Sequence, residues 1–310
     1  MTLAFLLLSC SVQQKLIPPT LWVSTPQPTA TAGPSQTATP TPSPSPIPFT
    51  KYGETLTDVT YCTADPTQKM DIYFPASGGP WPALVYVHGG SWMHGDKSEA
   101  AGLAVGMTSQ GYLVVSINYR LYPMGKFPSM IEDVKCAVRS LRAKSVQYNL
   151  DSNRIGAIGA SAGGHLVALL GTSDQSDGWD IGEYLDQSSR VQAVVAMAPV
   201  TDMTRKFPNV DIETIKLVGF GEDNVMEASP ITHVTSDDPP FLLIHGDRDG
   251  VVPYEQSQLM YDRLLQANVP AQLVIVKNGD HSFTGINGTA MPTLYEINQI
   301  ILDFLAKYLK

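Results

Sequence analysis

The pentapeptide Gly159-Ala160-Ser161-Ala162-Gly163 places a hydroxyl where a nucleophile would serve. It follows the β-like run Arg154-Ile155-Gly156-Ala157-Ile158 and precedes Leu166, Val167, Leu169 and Leu170, which continue as a buried helix. A serine in a G-x-S-x-G turn between strand and helix sits on a strained corner that lifts its hydroxyl clear of the sheet. The flanking glycines let neighbouring backbone approach where a Cβ would obstruct it. The spacing marks Ser161 as the candidate nucleophile of covalent acyl-transfer chemistry.

Such a serine needs a base, an acid to orient the base, and donors for the charge that develops on the substrate oxygen. In a strand–elbow–helix setting the acid and then the histidine follow the serine along the chain. The histidines are His88, His94, His165, His233, His245 and His281, and only His281 lies beyond the best acid candidates. It occupies the turn Asn278-Gly279-Asp280-His281-Ser282-Phe283, in which Asp280 reads as a turn residue. The acid is drawn first from His245-Gly246-Asp247-Arg248-Asp249, where Asp249 is favoured because it lies farther into the loop, near the helix opened by Pro253. Asp247, placed where local N–H groups would claim it, and Asp202, after an earlier strand, remain alternatives. His165, one helical turn past Ser161, reads as a packing residue.

For the oxyanion, His88-Gly89-Gly90-Ser91-Trp92 supplies a glycine turn after an apolar strand, about seventy residues before the elbow. Gly90 and Ser91 are the candidate donors, Gly89 allows the close turn, and the N–H of Ala162 completes the set. Trp92 and Tyr119 either line an acyl pocket or only pack the loop. No His/Asp cluster has metal-ligand spacing, so no metal is expected.

Strands and helices must hold these parts. Continuous apolar runs at residues 83–88, 112–117, 154–158, 191–197, 241–245 and 272–276 fit strands covered on both faces. Helical spacing appears between them at Met130, Val134, Val138 and Leu141, at Leu259, Leu264 and Leu265, and at Ile300, Ile301, Phe304 and Leu305. The alternation predicts a mostly parallel sheet with helices on both faces, its loops gathered at the carboxyl ends of the strands. Residues 58–62 and 69–74 add an antiparallel pair. Residues 198–238, with Met203, Phe207, Val218, Phe220 and Met226, are long for a plain connection and read as a small lid over the serine.

The chain has 310 residues, 43% of them hydrophobic, and a formal net charge of −9. That balance, without a basic run interleaved with aromatics, argues against nucleic-acid binding. Residues 1–10, almost wholly apolar through Leu3-Ala4-Phe5-Leu6-Leu7-Leu8 and ending Ser9-Cys10, form a run too short to span a bilayer. It resembles the end of a lipoprotein signal peptide, with Cys10 as the lipidated residue, although a basic leader is missing. Residues 11–48 read as a Thr/Pro/Ser-rich disordered tether whose composition cannot offset its ordering entropy. Residues 49–310 then form the catalytic domain of an exported protein, either a cell-surface lipoprotein or a secreted one. Cys62 and Cys136 remain, and Cys136 reads as a small buried hydrophobe in preference to a disulfide partner.

Taken together, Val87-His88-Gly89-Gly90-Ser91-Trp92, Asn118-Tyr119-Arg120-Leu121, Phe127-Pro128 with Glu132-Asp133, Gly159-Ala160-Ser161-Ala162-Gly163-Gly164-His165-Leu166 and His245-Gly246-Asp247-Arg248-Asp249 resemble the α/β-hydrolase esterases. The similarity is nearest to the bifunctional feruloyl and acetyl-xylan esterase type, beside the hormone-sensitive-lipase and kynurenine-formamidase types, and runs from about residue 55 onward. Ser91 stands where lipase-type enzymes carry a third glycine, and Arg120-Leu121-Tyr122-Pro123 lacks the acidic residue that often follows that proline. The resemblance implies the α/β-hydrolase fold, a cofactor-free Ser-His-Asp mechanism, and an ester substrate of small or aryl acids, such as acetyl or feruloyl groups borne on polysaccharide. A general short-chain carboxylesterase, an arylformamidase and a serine peptidase are the alternatives, and a catalytically silent binding domain is the reading from another class.

Overall fold

Side chains alternate between the two sides of a strand, so a run that is apolar at every position must be covered on both faces. In β3 (Trp81–Val87), Ala83, Val85 and Val87 join one core layer and Leu84 joins the other. The same division sends Val115, Val194 and Leu243 to the first layer and Val114, Val195 and Leu242 to the second. Each such Val or Leu contributes about 1.5–3 kcal/mol when fully buried. The computed structural model describes residues 49–205, 216, 218–221, 224–286 and 288–310. The N-terminal segment, with Cys10 and the tether, lies outside the described residues.

The other strands are β1 (Thr55–Thr60), β2 (Lys69–Tyr73), β4 (Leu113–Ile117), β5 (Leu150–Ala160), β6 (Ala193–Met197), β7 (Phe241–Gly246) and β8 (Ala271–Val276). They form an eight-stranded sheet in the order β1-β2-β4-β3-β5-β6-β7-β8. β1 and β2 pair antiparallel, as do β2 and β4, and every later pair is parallel. This is the mostly parallel sheet expected from the apolar runs. β3 and β5 are neighbours, with Val87 opposite Gly159, so the turn after one strand lies beside the turn after the other.

Helices α1 (Ala101–Ser109), α2 (Ser129–Ala143), α3 (Ser145–Tyr148), α4 (Ala162–Thr172), α5 (Pro230–His233), α6 (Glu255–Gln266) and α7 (Leu294–Leu309) complete the described layers. α2, α4 and α6 cover one face through Val134, Val138, Leu166, Leu169, Met260 and Leu264. α1 and α7 cover the other through Ala104, Met107, Ile297, Ile301 and Phe304. In α6 the inward stripe runs through Gln256, Met260 and Leu264, whereas Leu265 is 47% exposed, so the expected apolar face is rotated by one position.

α2 also buries charge. Asp133 is fully enclosed and accepts from the backbone N–H of Arg120 at 2.8 Å, from its guanidinium at 2.7 Å and from Gln68 at 2.6 Å. Lys135 and Arg139, equally buried, reach Asp180 at 3.0 and 2.5 Å. Burying these ions is tolerable only because each is paired and hydrogen-bonded. Arg120 and Asp133 thus tie the loop after β4 to α2. Beside them Cys62 and Cys136 form a disulfide with a Cα–Cα distance of 6.5 Å. This corrects the expectation that Cys136 is only a buried hydrophobe: the turn between β1 and β2 lies against α2, a contact no local pattern reveals.

Candidate active site

Ser161 has φ 54° and ψ −121°, a backbone conformation that a side chain disfavours and the surroundings must impose. Its N–H is held by the carbonyl of Met197 at the end of β6 (2.8 Å), and α4 begins at the next residue. A Cβ at Gly163 would lie 2.0 Å from the carbonyl oxygen of Val87, so only glycine lets α4 start this close to β3. Strand, corner and helix stand as the G-x-S-x-G spacing requires, and Ser161 is half-buried.

The turn after β3 meets this corner. A Cβ at Gly89 would stand 3.5 Å from Ser161 Cβ. Gly90, Ser91 and Trp92 then follow with φ of 103°, 53° and 59°, three consecutive residues with positive φ. Their carbonyl neighbours are occupied elsewhere. Gly90 O accepts from Met93 N and His94 N at 3.0 and 3.1 Å, Gly89 O accepts from His88 Nδ1 at 2.8 Å, and His88 O accepts from the Tyr119 hydroxyl at 3.1 Å. Among the described residues no hydrogen bond takes up the N–H of Gly90, Ser91 or Ala162.

Trp92 and Tyr119, weighed as pocket walls, are 5% and 1% exposed and offer no surface to a substrate. Tyr119 stacks on His88 with ring centroids 4.5 Å apart. Trp92 packs against Phe220 at 4.8 Å and donates its indole N–H to His165 Nδ1 at 3.1 Å. His165 in turn donates from Nε2 to Ala228 O at 2.7 Å. Complete burial pushes the His165 pKa down to about 4, against a smaller opposing effect of that carbonyl. The side chain is therefore a neutral strut beneath the turn. Val218, Phe220 and Met203 are buried here, while Met226 is 58% exposed. Residues 206–215, 217, 222 and 223 of the expected lid, Phe207 among them, lie outside the described residues.

The candidate acid and base come from the loops after β7 and β8. Asp249 Oδ2 accepts from His281 Nδ1 at 2.6 Å, and Oδ1 accepts from the N–H groups of Val251 and Val252 at 2.8 and 2.9 Å. Its side chain is fully enclosed, and that of His281 is 24% exposed. Burial alone would raise the carboxyl pKa, but hydrogen bonds from His245, His281 and Val252 outweigh it and hold the group well below the usual carboxylate range. β8 is an edge strand, yet its turn doubles back: a Cβ at Gly246 would lie 2.3 Å from Gly279 O and 2.4 Å from Asp280 O. That crossing brings His281 over the end of β7, on the same edge of the sheet as Ser161. Among the described residues no hydrogen bond joins the Ser161 hydroxyl to His281.

The other aspartates have different partners. Asp247 accepts from Asn278 N at 2.6 Å and lies 3.5 Å from Lys277 Nζ. Asp202 binds Thr204 N at 3.0 Å and pairs with Arg205 at 2.9 Å. Asp280 closes its own turn on Ser282 N and Thr284 N, each at 2.9 Å. Sequence reasoning passed over His245, whose Nε2 lies 3.2 Å from Asp249 Oδ2; the i, i+4 spacing of the two at a strand end was the available signal. A cavity of about 230 Å³ lies beside Asp249, lined by Asp247, Val251, Tyr254 and Glu255 among others. A larger one, near 580 Å³, lies away from these groups between β8 and α7. Among the described residues no group of three or more His, Cys, Asp or Glu could hold a metal ion.

The BD-FAE family model matches residues 70–264. Esterase LipC of Mycobacterium tuberculosis is 36% identical over 218 residues, covering 64% of this chain and 53% of its own. The chain spans about half the length of the curated relatives it matches. A solved structure described as a truncated form of a carbohydrate esterase from gut microbiota superposes with a TM-score of 0.73 at 30% identity, covering 83% of this chain and 96% of that one. A butyrate-bound esterase from Thermogutta terrifontis shares the fold, with a TM-score of 0.68 at 23% identity over 80% of this chain and 92% of its own. By the matched span and the sheet that carries it, the chain belongs to the BD-FAE family and has the α/β-hydrolase fold.

Proposed function

We propose that the chain is a serine carboxylic-ester hydrolase in which Ser161 is the nucleophile, His281 the base and Asp249 the orienting acid. The observation that carries this reading is the 2.6 Å hydrogen bond from His281 Nδ1 to Asp249, on the same end of the sheet as the left-handed Ser161. With Nδ1 donating to the carboxylate, Nε2 is the basic nitrogen. It takes the Ser161 proton as Oγ attacks the ester carbonyl, and the N–H groups of Gly90, Ser91 and Ala162 receive the oxyanion. His281 then protonates the departing alcohol, leaving an acyl-serine. Water, deprotonated by the same imidazole, releases the acid and restores Ser161.

The substrate class we assign is an acetyl or feruloyl ester on plant polysaccharide such as xylan. Membership of the BD-FAE family and the likeness to a carbohydrate esterase support it. The same reading places the domain outside the cell, held at a membrane through Cys10 and the tether; radiolabelled palmitate incorporated by the wild type and not by Cys10→Ser tests that part. Activity is tested by rates on acetyl, butyryl, octanoyl and feruloyl esters, acetylated xylan and N-formylkynurenine, with fluorophosphonate labelling beside them. Labelling that survives in Ser161→Ala overturns the mechanism. A preference for N-formylkynurenine or for octanoyl esters over acetylated xylan overturns the substrate assignment alone.

A further inference from the structure

His245 is the last side chain of β7 before its closing glycine, and it is completely buried. Its Nε2 faces two acceptors, Val252 O at 2.9 Å and Asp249 Oδ2 at 3.2 Å. Neither can donate, so Nε2 carries a proton. Its Nδ1 lies 2.7 Å from the hydroxyl of Ser257, a buried residue in the first turns of α6. With Nε2 protonated and the ring neutral, Nδ1 is an acceptor and Ser257 the donor. The hydroxyl thereby fixes the tautomer that presents N–H to Asp249.

We propose that His245 is a positioning residue for the reaction, donating to the same carboxylate oxygen that receives the Nδ1–H of His281. This rests on the Ser161–His281–Asp249 reading and extends its polar chain inward through His245 to Ser257. Asp249 Oδ2 then has His281 Nδ1 at 2.6 Å and His245 Nε2 at 3.2 Å, and Oδ1 has two backbone donors. Such a carboxylate cannot turn about its Cβ–Cγ bond without breaking several hydrogen bonds at once. His245 also grips Val252 O, while Val252 N binds Oδ1, so one ring holds the acid and the turn that supplies its other donors. A histidine that served only the core would be satisfied by Ser257 and Val252 alone. The contact with an enclosed carboxylate is what assigns it to the site.

The test uses the full chain and kcat and KM for 4-nitrophenyl acetate. In His245→Leu and His245→Asn, neither of which places a donor at the Nε2 position, kcat falls about ten- to a hundredfold with KM nearly unchanged. His245→Gln, whose amide nitrogen stands near Nε2, recovers most of the loss. Ser257→Ala, which frees the tautomer, falls by a smaller factor. The low-field proton resonance of the His281–Asp249 hydrogen bond, identified by its loss in His281→Ala, moves in His245→Leu and in Ser257→Ala and returns toward its wild-type position in His245→Gln. Wild-type kcat and an unmoved resonance in folded His245→Leu overturn the proposal. Where that variant does not fold, an unmoved resonance in Ser257→Ala overturns it instead. Asp249→Asn and His281→Ala are measured alongside. If they stay active the parent mechanism fails, whereas if they are inactive and the His245 and Ser257 variants behave as wild type, only the positioning role fails.

Discussion

Trp92 and His165 are joined by a hydrogen bond of 3.1 Å from the indole N–H to Nδ1, which fastens the turn after β3 to the helix that follows Ser161. The bond exists only while His165 is neutral. Its pKa is pushed down to about 4 by burial, against an ordinary value near 6.5. Between those two values the unfolded chain binds a proton that the folded chain refuses, so stability rises with pH across that window. The full contribution is present above about pH 6.5 and is lost as pH falls toward 4, a difference of about 3 kcal/mol. Urea unfolding at pH 7, 5.5 and 4 should show a steeper fall for the wild type than for His165→Gln. Parallel curves would mean that His165 is not the titrating group.

Asp249→Asn should lower kcat by about 10⁴, because an amide no longer fixes the imidazole tautomer. Asp247→Asn and Asp202→Asn should each remain within about tenfold of wild type, since the two carboxylates serve local turns. Steady-state kinetics on one soluble acetyl ester decides between them. An inactive Asp202→Asn beside an active Asp249→Asn would reassign the acid.

Ser161→Ala should cost about 10⁵ to 10⁶ in kcat, since members of such a unit fail together. Stability offers an independent check. Ser161→Gly should unfold at a higher temperature than Ser161→Ala, by about 2–4 °C, because glycine adopts φ 54° without the penalty of about 1 kcal/mol that a Cβ carries there. Calorimetry of the two inactive variants measures it. Equal melting temperatures would show that the corner is not strained.

The Cys62–Cys136 disulfide spans 74 positions, and closing a loop of that length restricts the unfolded chain by about 4 kcal/mol. Cys62→Ser/Cys136→Ser should therefore lower the urea midpoint markedly while leaving kcat almost unchanged. Both cysteines are 4% exposed or less, so a mild reductant should act on the folded wild type only slowly. Rapid loss of the midpoint in reductant without denaturant would contradict that shielding.

What the sequence disclosed and what it withheld follow from the range of each signal. The apolar runs were legible because strands buried on both faces have no polar side to interrupt them, and the corner at Ser161 was legible because a strained turn needs its glycines adjacent. Strand ends were less so. β5 begins at Leu150, four residues before its apolar run, since Leu150 pairs with Trp81 across an irregularity that leaves the intervening Asp151, Ser152 and Asn153 outside the core. Asp180, which pairs with Lys135 and Arg139, stands more than forty positions from either, and the partner of Cys62 farther still. Period and propensity describe a residue's side of an element; they say nothing about which distant group it meets.

In the proposed mechanism, the pairing of Val87 with Gly159 makes the β3–β5 ladder the gauge of the reaction. One residue of slip between these strands would carry the Gly90–Ser91 turn about 3.3 Å along the sheet, farther than the length of the hydrogen bond it has to make. Length changes in β3 or β5 would therefore abolish turnover even in a chain that still folds.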